Sequence, residues 1–310
     1  MVQVTRYRKI YYIFSGTLIV LSLIALAVWG LELGVDFKGG SMLYGTFTEK
    51  ALSVDEINSA VAQTGIGEAV VQPSGERDVF IRFNAVDEDM HQKVLAGLAQ
   101  GAQQAGEGNL FVEKSFDSIG PSIGKELRSK SVIAIFIVLA LVIGYIALVF
   151  RKVSYPLASW KYGIATLVAL FHDVIIPVGL FAVLGHSAHV EITGGFIAAI
   201  LTVLGYSVHD SIIVFDRIRE NLMRHQGKTF EETVNISVNQ TFVRSLNTSL
   251  TVILVLLAIY LIGGESVKYI ALALMVGVGV GTYSSIFIGS TLLVSWYAWM
   301  QKKQVQSAGA

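Results

Sequence analysis

The stretch SVIAIFIVLALVIGYIALVF, Ser131 to Phe150, runs for twenty residues without a charged side chain. That is the length an α-helix needs to cross the roughly 30 Å hydrocarbon layer of a bilayer, and it sets the fold class as a polytopic α-helical membrane protein. Outward from it, five further stretches have the same character: Tyr11 to Gly30, Trp160 to Leu184, Thr193 to Phe215, Ser245 to Ile262 and Tyr269 to Trp299. The last is long enough to tilt or to project from the bilayer. The composition agrees: of 310 residues 53% are apolar and only 15% charged, where a soluble protein carries about 25% charged residues.

Arg6, Arg8 and Lys9 precede the first run in the manner of a signal peptide. The run is longer than a signal-peptide core and lacks a clear small-residue cleavage site, so it reads as an uncleaved first helix. The chain contains no cysteine, which excludes a disulfide framework and thiolate metal sites. The 23 basic and 23 acidic side chains cancel, but 24 of them lie between Leu31 and Lys130, 9 basic and 15 acidic. Residues 31–130 therefore have the chemistry of a soluble domain, inserted between the first two spans.

Basic residues in short loops set orientation. One side carries Arg6, Arg8 and Lys9, then Arg151, Lys152 and Lys161, then Arg217, Arg219, Arg224 and Lys228, then Lys302 and Lys303; the short loops opposite offer only Lys268. Residues 1–10, 216–244 and 300–310 are thus expected in the cytoplasm, and 31–130 outside it. Within the exported segment, Met42 to Thr48, Glu68 to Gln72, Asp78 to Phe83 and Asn109 to Phe116 read as strands. Ser53 opens a helix with Ile57, Ala60 and Val61 on one face, and a second helix spans Asp87 to Gln104. Strand, helix, two strands, helix, strand is the order of a ferredoxin-like α+β domain. It holds no Ser/His/Asp set, metal-ligand cluster or phosphate loop, and His91 reads as a solvated helix residue, so binding or mechanical work suits it better than catalysis.

The remaining chemistry lies in the spans, where each ionisable residue costs about 2.5–3.5 kcal/mol to insert at a helix centre and marks a functional site by default. Asp210 is the clearest case. His209 is adjacent, and Tyr206, Thr202 and Ala198 precede it at helical spacing, forming a stripe expected to face a bundle interior or a wet cavity. Desolvation favours the neutral carboxyl and a nearby cation the carboxylate, so such a group can bind and release a proton in turn. Arg244 is the natural counter-charge, sharing a helix face with Thr248 and Thr251. A plainer reading remains open for both: Asp210 reaching the interface, Arg244 as a basic flank. Asp173, beside His172 nearer the middle of its span, is a second acidic site. The last span reads as packing, because Ala273, Gly277, Gly281, Ser285 and Gly289 recur every four residues.

Four segments in order, GVDFKGGSM (34–42), FDSIGPSIGKEL (116–127), HDVIIPVGLFAVLG (172–185) and LGYSVHDSIIVFDRIRENL (204–222), resemble the SecF branch of the SecD/SecF protein-export family, itself similar to resistance-nodulation-division transporters. The resemblance covers nearly the whole chain. It implies a six-helix bundle of the resistance-nodulation-division type and a non-enzymatic accessory subunit of the bacterial Sec translocon in the plasma membrane, with no cofactor, metal or nucleic acid. Its implied partners are a SecD homologue, the SecYEG channel, YajC and YidC as further candidates, the translocating preprotein and membrane lipid. It also implies use of the proton-motive force, with Asp210 and Arg244 falling on the family's proton-conducting aspartate and arginine, Asp173 on a third characteristic position, and His209 standing where the family commonly has Asn. The alternatives are one half of a proton-coupled exporter of small molecules or lipids, and a passive membrane scaffold.

Overall fold

The computed structural model describes residues 3–67, 69–149 and 156–308. Glu68, at the start of the expected second strand, Phe150, the flank residues Arg151 and Lys152, and both chain ends (1–2 and 309–310) lie outside the described residues. In chain order the elements are α1 (Arg8–Trp29), α2 (Val35–Lys38), β1 (Gly40–Phe47), α3 (Val54–Ala62), β2 (Val70–Ser74), β3 (Asp78–Phe83), α4 (Glu88–Ala105), β4 (Phe111–Ile119), α5 (Pro121–Val149), α6 (Ser159–Ala188), α7 (Gly194–Met223), α8 (Phe230–Ile262), α9 (Glu265–Ser284), a π-helical turn (Ser285–Gly289) and α10 (Ser290–Ala308). They sort into two compact units, Leu33–Val132 and the remainder.

The Leu33–Val132 unit is an antiparallel sheet of order β2-β3-β1-β4. Each of its two main helices returns the chain to a strand two places away, with an antiparallel strand between, which is the split βαβ arrangement. Leu43 on β1 lies opposite Ile81 of β3 and Phe116 of β4. With Val79, it packs on Ile57 and Val61 of α3 and Val94 and Leu98 of α4. Helix α3 starts at a capping box: the Ser53 hydroxyl accepts from the Glu56 amide (3.3 Å), and the Glu56 carboxylate accepts from the Ser53 amide (2.7 Å).

The β1–β4 register shifts between Tyr44 and Gly45, leaving Lys114 as the extra residue of a bulge. Gly45 is required there, because a Cβ would lie 2.2 Å from the Phe111 ring. Lys114 reaches Asp78 (2.7 Å) and lies 4.9 Å from the centre of the Tyr44 ring. Burial pushes the Asp78 carboxyl up, but hydrogen bonds from Lys114, Thr46 and Tyr44 and the lysine's charge outweigh it and hold it at about 2.

His91 departs from its solvated reading. It is buried, its ring stacks on Phe116 at 3.7 Å, and Glu88 and Glu113 flank it at 3.4 and 3.3 Å. The reason is helical spacing: positions 91, 94, 98 and 102 form the buried stripe of α4.

Among the described residues, six helices are long and apolar enough to cross a membrane. In the unit outside Leu33–Val132, helices α6 and α7 are half-buried around Tyr162, Leu170, Leu204, Val208 and Phe215. Ile13 and Phe14 on α1, Phe136 and Leu141 on α5, and Val255 and Leu261 on α8 are exposed; so broad an apolar surface suits acyl chains rather than water. Small residues bring the backbones close. A Cβ on Gly179 would meet Ser22 of α1 at 2.3 Å, and one on Gly277 of α9 would meet Val203 of α7 at 2.3 Å.

Several helices outrun the apolar stretches. Helix α5 begins at Pro121, suited to a first helical position, and its charged first turns carry a Glu126–Lys130 pair at 2.6 Å. The 216–244 segment is mostly helix: α7 continues to Met223, and α8 starts at Phe230, where the Thr229 hydroxyl accepts from the Glu232 amide. Apolar length marks what lipid can cover, whereas caps and local pairs decide where a helix ends.

Candidate functional site

Asp210 lies on the inner face of α7 and is 5% exposed. The Ser245 hydroxyl of α8 donates to its Oδ1 at 2.5 Å, and the Ser285 hydroxyl, first residue of the π-helical turn, donates to Oδ2. The carboxylate thus sits where three spans meet, held by two neutral donors. Beside it is a cavity of about 150 Å³ lined by Tyr206, His209, Asp210, Ile213, Arg244, Ser245 and Thr248. Arg244 lines this cavity but makes no ion pair with Asp210, and both Arg244 and His209 are exposed. The structure therefore brings Asp210, His209 and Arg244 to one cavity while leaving the arginine as a charge across a gap.

The polar stripe on α7 is only partly inward. Asp210 is buried and Tyr206 half-buried, its hydroxyl 2.9 Å from that of Ser249, but Thr202 and Ala198 are exposed. Four-residue steps overshoot a 3.6-residue turn, so each step rotates the position by about 40°. Three steps carry the stripe from the interior to the open surface.

Asp173 forms a separate centre on α6 and is fully buried. Its Oδ1 pairs with His172 Nδ1 at 2.8 Å, and its Oδ2 accepts from Ser207 (2.5 Å) and Ser284 (2.7 Å). The His172 ring stacks near Tyr283 with centroids 6.0 Å apart. Asp173 does not line the Asp210 cavity; adjacent serines of one helix join the two centres, Ser284 on Asp173 and Ser285 on Asp210.

The last span consequently has a role beyond the packing its sequence suggests. Its small residues do allow close approach: a Cβ on Gly281 would meet Ser207 at 3.2 Å. Ser285 of that stripe and its neighbour Ser284 deliver a hydroxyl to each carboxylate, because adjacent helical residues point about 100° apart, toward two different neighbours. Ser207, Ser245 and Ser284 are missed by sequence reasoning, and Ser285 is read there only as a packing residue. The available signal was the Ser284–Ser285 pair interrupting an apolar run, together with Ser207 one helical turn before Asp210. Among the described residues, no group of three or more His, Asp or Glu side chains could hold a metal ion.

Comparison with known proteins places this geometry in context. A family model described as Protein export membrane protein SecD/SecF, C-terminal, matches residues 101–299. The protein translocase subunit SecF of Thermobaculum terrenum is 45% identical over 306 residues, covering 96% of this chain and 94% of the relative. That of Haemophilus influenzae is 36% identical, covering 91% and 82%. The crystal structure of SecDF, a translocon-associated membrane protein from Thermus thermophilus, superposes with a TM-score of 0.77 at 30% identity, covering 94% of this chain and 38% of that one. A SecDF structure in a super-membrane-facing form gives a TM-score of 0.65 at 32% identity, covering 98% and 39%.

Proposed function

The chain belongs to the SecD/SecF family of protein-export membrane proteins, and from that premise we propose that it is a non-enzymatic subunit of the bacterial Sec translocon that uses the proton-motive force, together with SecD, to promote preprotein export. The carrying observation is Asp210: a buried carboxylate held by serine hydroxyls rather than by a cation, opening on a cavity it shares with His209 and Arg244. A serine hydroxyl can donate to a carboxylate or accept from a carboxylic acid, so both protonation states of Asp210 can be accommodated. Arg244 and His209 line the same cavity, so a fixed cation and a second polar side chain face the carboxyl across the gap. In this reading Asp173 is an inner site served by its own donors.

One elementary charge moving through 100 mV releases about 2.3 kcal/mol. One or two protons per cycle can therefore bias a bundle between two arrangements, provided the two differ in proton affinity. The distribution of Lys and Arg supports cytoplasmic termini and an exported Leu33–Val132 unit, which would carry the mechanical work on the preprotein. Support for a SecD half comes from two directions. The SecDF relative is more than twice as long as the part this chain covers, and His209, Arg244 and Asn247 are polar yet exposed on the bundle, where lipid offers their side chains no hydrogen-bond partner. SecYEG, with YajC and YidC, would be contacted through that larger assembly.

The test is Asp210→Asn in preprotein translocation into vesicles, with and without an imposed proton gradient. The reading predicts normal assembly, normal gradient-independent translocation and loss of the gradient-dependent part. An unchanged gradient response would remove Asp210 from the mechanism, and failed assembly would favour a scaffold.

A further inference from the structure

Ser284 and Ser285 each have one hydroxyl proton and two acceptors within reach. Ser284 Oγ lies 2.7 Å from Asp173 Oδ2 and 3.0 Å from the carbonyl of Gly281. Ser285 Oγ meets Asp210 Oδ2 and lies 3.1 Å from the carbonyl of Thr282. Both fallback acceptors are carbonyls three residues back in the same helix, and the two belong to one turn. The other two serines on the carboxylates have no such second acceptor: Ser207 and Ser245 donate only to Asp173 and Asp210.

That turn is where the helix changes winding, since the π-helical segment starts at Ser285. Such segments lie frequently at functional sites, and a serine bonding back to its own helix bends it. We propose that Ser284 and Ser285 are a switchable clasp that couples the protonation of Asp173 to that of Asp210 through the 281–285 turn. When a carboxylate takes up a proton, its O–H can donate to the serine Oγ, and the serine hydroxyl proton turns to the backbone carbonyl. The serine keeps its own proton, so nothing is transferred along the helix; what passes is the conformation of the turn. A change at Asp210 alters Ser285 and Thr282, one residue from Ser284 and Gly281, and so alters the clasp on Asp173. Coupling of this kind is reciprocal.

The groups facing the clasp from every packed element are few. Around Asp173 are His172 on its own helix, Ser207 of α7 and, beyond His172, Tyr283 with Ser15 of α1 3.4 Å from its hydroxyl. Around Asp210 are Ser245 of α8 and, across the cavity, His209, Tyr206 and Arg244. Ser284 and Ser285 are thus positioning residues: they touch the carboxylates and hold them, while the protons reside on the aspartates.

The inference rests on the reading that both aspartates change protonation, and the experiment separates the two. The full chain in lipid nanodiscs is titrated by infrared difference spectroscopy, and the two carboxyl bands are identified by their loss in Asp173→Asn and Asp210→Asn. In the parent protein each aspartate substitution shifts the midpoint of the other carboxyl by on the order of half a pH unit or more, about threefold in proton affinity. In Ser284→Ala and Ser285→Ala, singly and together, both bands persist and most of that mutual shift is lost; Ser→Thr at either position, which restores the hydroxyl, restores it. Direct through-space repulsion does not depend on the hydroxyls, so a mutual shift that survives the double Ser→Ala change overturns the clasp. Two carboxyls that titrate independently in the parent overturn the clasp and leave the functional reading standing. Carboxyls that do not titrate at all overturn both. Should one alanine variant fold poorly, the other single alanine variant, set against its threonine counterpart, gives the same comparison in folded protein.

Discussion

Removing the Asp173 carboxylate should destabilise the bundle by an amount that depends on the replacement. Three donors converge on it in a site with no solvent exposure: His172 Nδ1 at 2.8 Å, Ser207 at 2.5 Å and Ser284 at 2.7 Å. Asp173→Ala orphans them unequally. Ser284 can fall back on the Gly281 carbonyl at 3.0 Å, whereas Ser207 and the imidazole N–H have no acceptor in place. A hydrogen bond inside a membrane bundle is worth about 0.6–1.7 kcal/mol, and a buried donor left unsatisfied costs about 1–3 kcal/mol. With membrane hydrogen bonds this weak, each donor falls in the lower part of that range, at about 1–2 kcal/mol, and two such donors give a loss of about 2–4 kcal/mol. Asp173→Asn keeps an acceptor for His172, and its amide can donate to serine oxygens that accept as readily as they donate, so the loss is about 1 kcal/mol. At about 2–4 °C per kcal/mol for a chain of this size, thermal unfolding in detergent should place Ala about 5–15 °C below the parent and Asn within about 4 °C of it. Equal melting of the two variants, or an alanine variant as stable as the parent, would refute the reasoning that the site is held by its donors.

Other expectations concern the Leu33–Val132 unit and the helix contacts. The folded Asp78 carboxyl is held at about 2, below its unfolded value of about 3.9, so its contribution is present above that unfolded value and is lost as pH falls toward 2. Because both partners are partly exposed, the contribution is about 1 kcal/mol: Lys114→Met should lower hydrogen-exchange protection of β1 and β3 at pH 5 and converge with the parent near pH 2, and a difference that persists at low pH would contradict the assignment. Gly277→Ala places a methyl 2.3 Å from Val203 and should cost about 1–3 kcal/mol by overpacking. Val203→Ala in the same chain should restore part of that loss in a double-mutant comparison, and strict additivity would mean that α7 and α9 do not meet there.

The parts of this protein governed by local chemistry are legible in its sequence. Strand β3 follows from alternation in Asp78–Phe83, α3 from the Ser53–Glu56 box, and the six spans from apolar length. What escapes is set by contacts between residues distant in the chain. Ser245 and Ser285 lie 35 and 75 positions from Asp210, and nothing local distinguishes them from the other serines of apolar helices. The stripe on α7 looked continuous because four-residue steps approximate a turn over one interval and fail over three. His91 looked solvated because histidine is usually polar, although its spacing from Val94 and Leu98 already placed it on the core side. The last span combines both lessons: its glycines are readable as close packing, while the serine pair among them acquires meaning only from the two carboxylates it meets.

The central claim is that Asp210 carries the proton. The most direct measurement is proton flux, read by a pH-sensitive dye inside proteoliposomes that contain this chain together with a SecD homologue under an imposed gradient. The account predicts flux in the parent protein and its loss in Asp210→Asn, with both proteins incorporated equally. Undiminished flux through Asp210→Asn would contradict it.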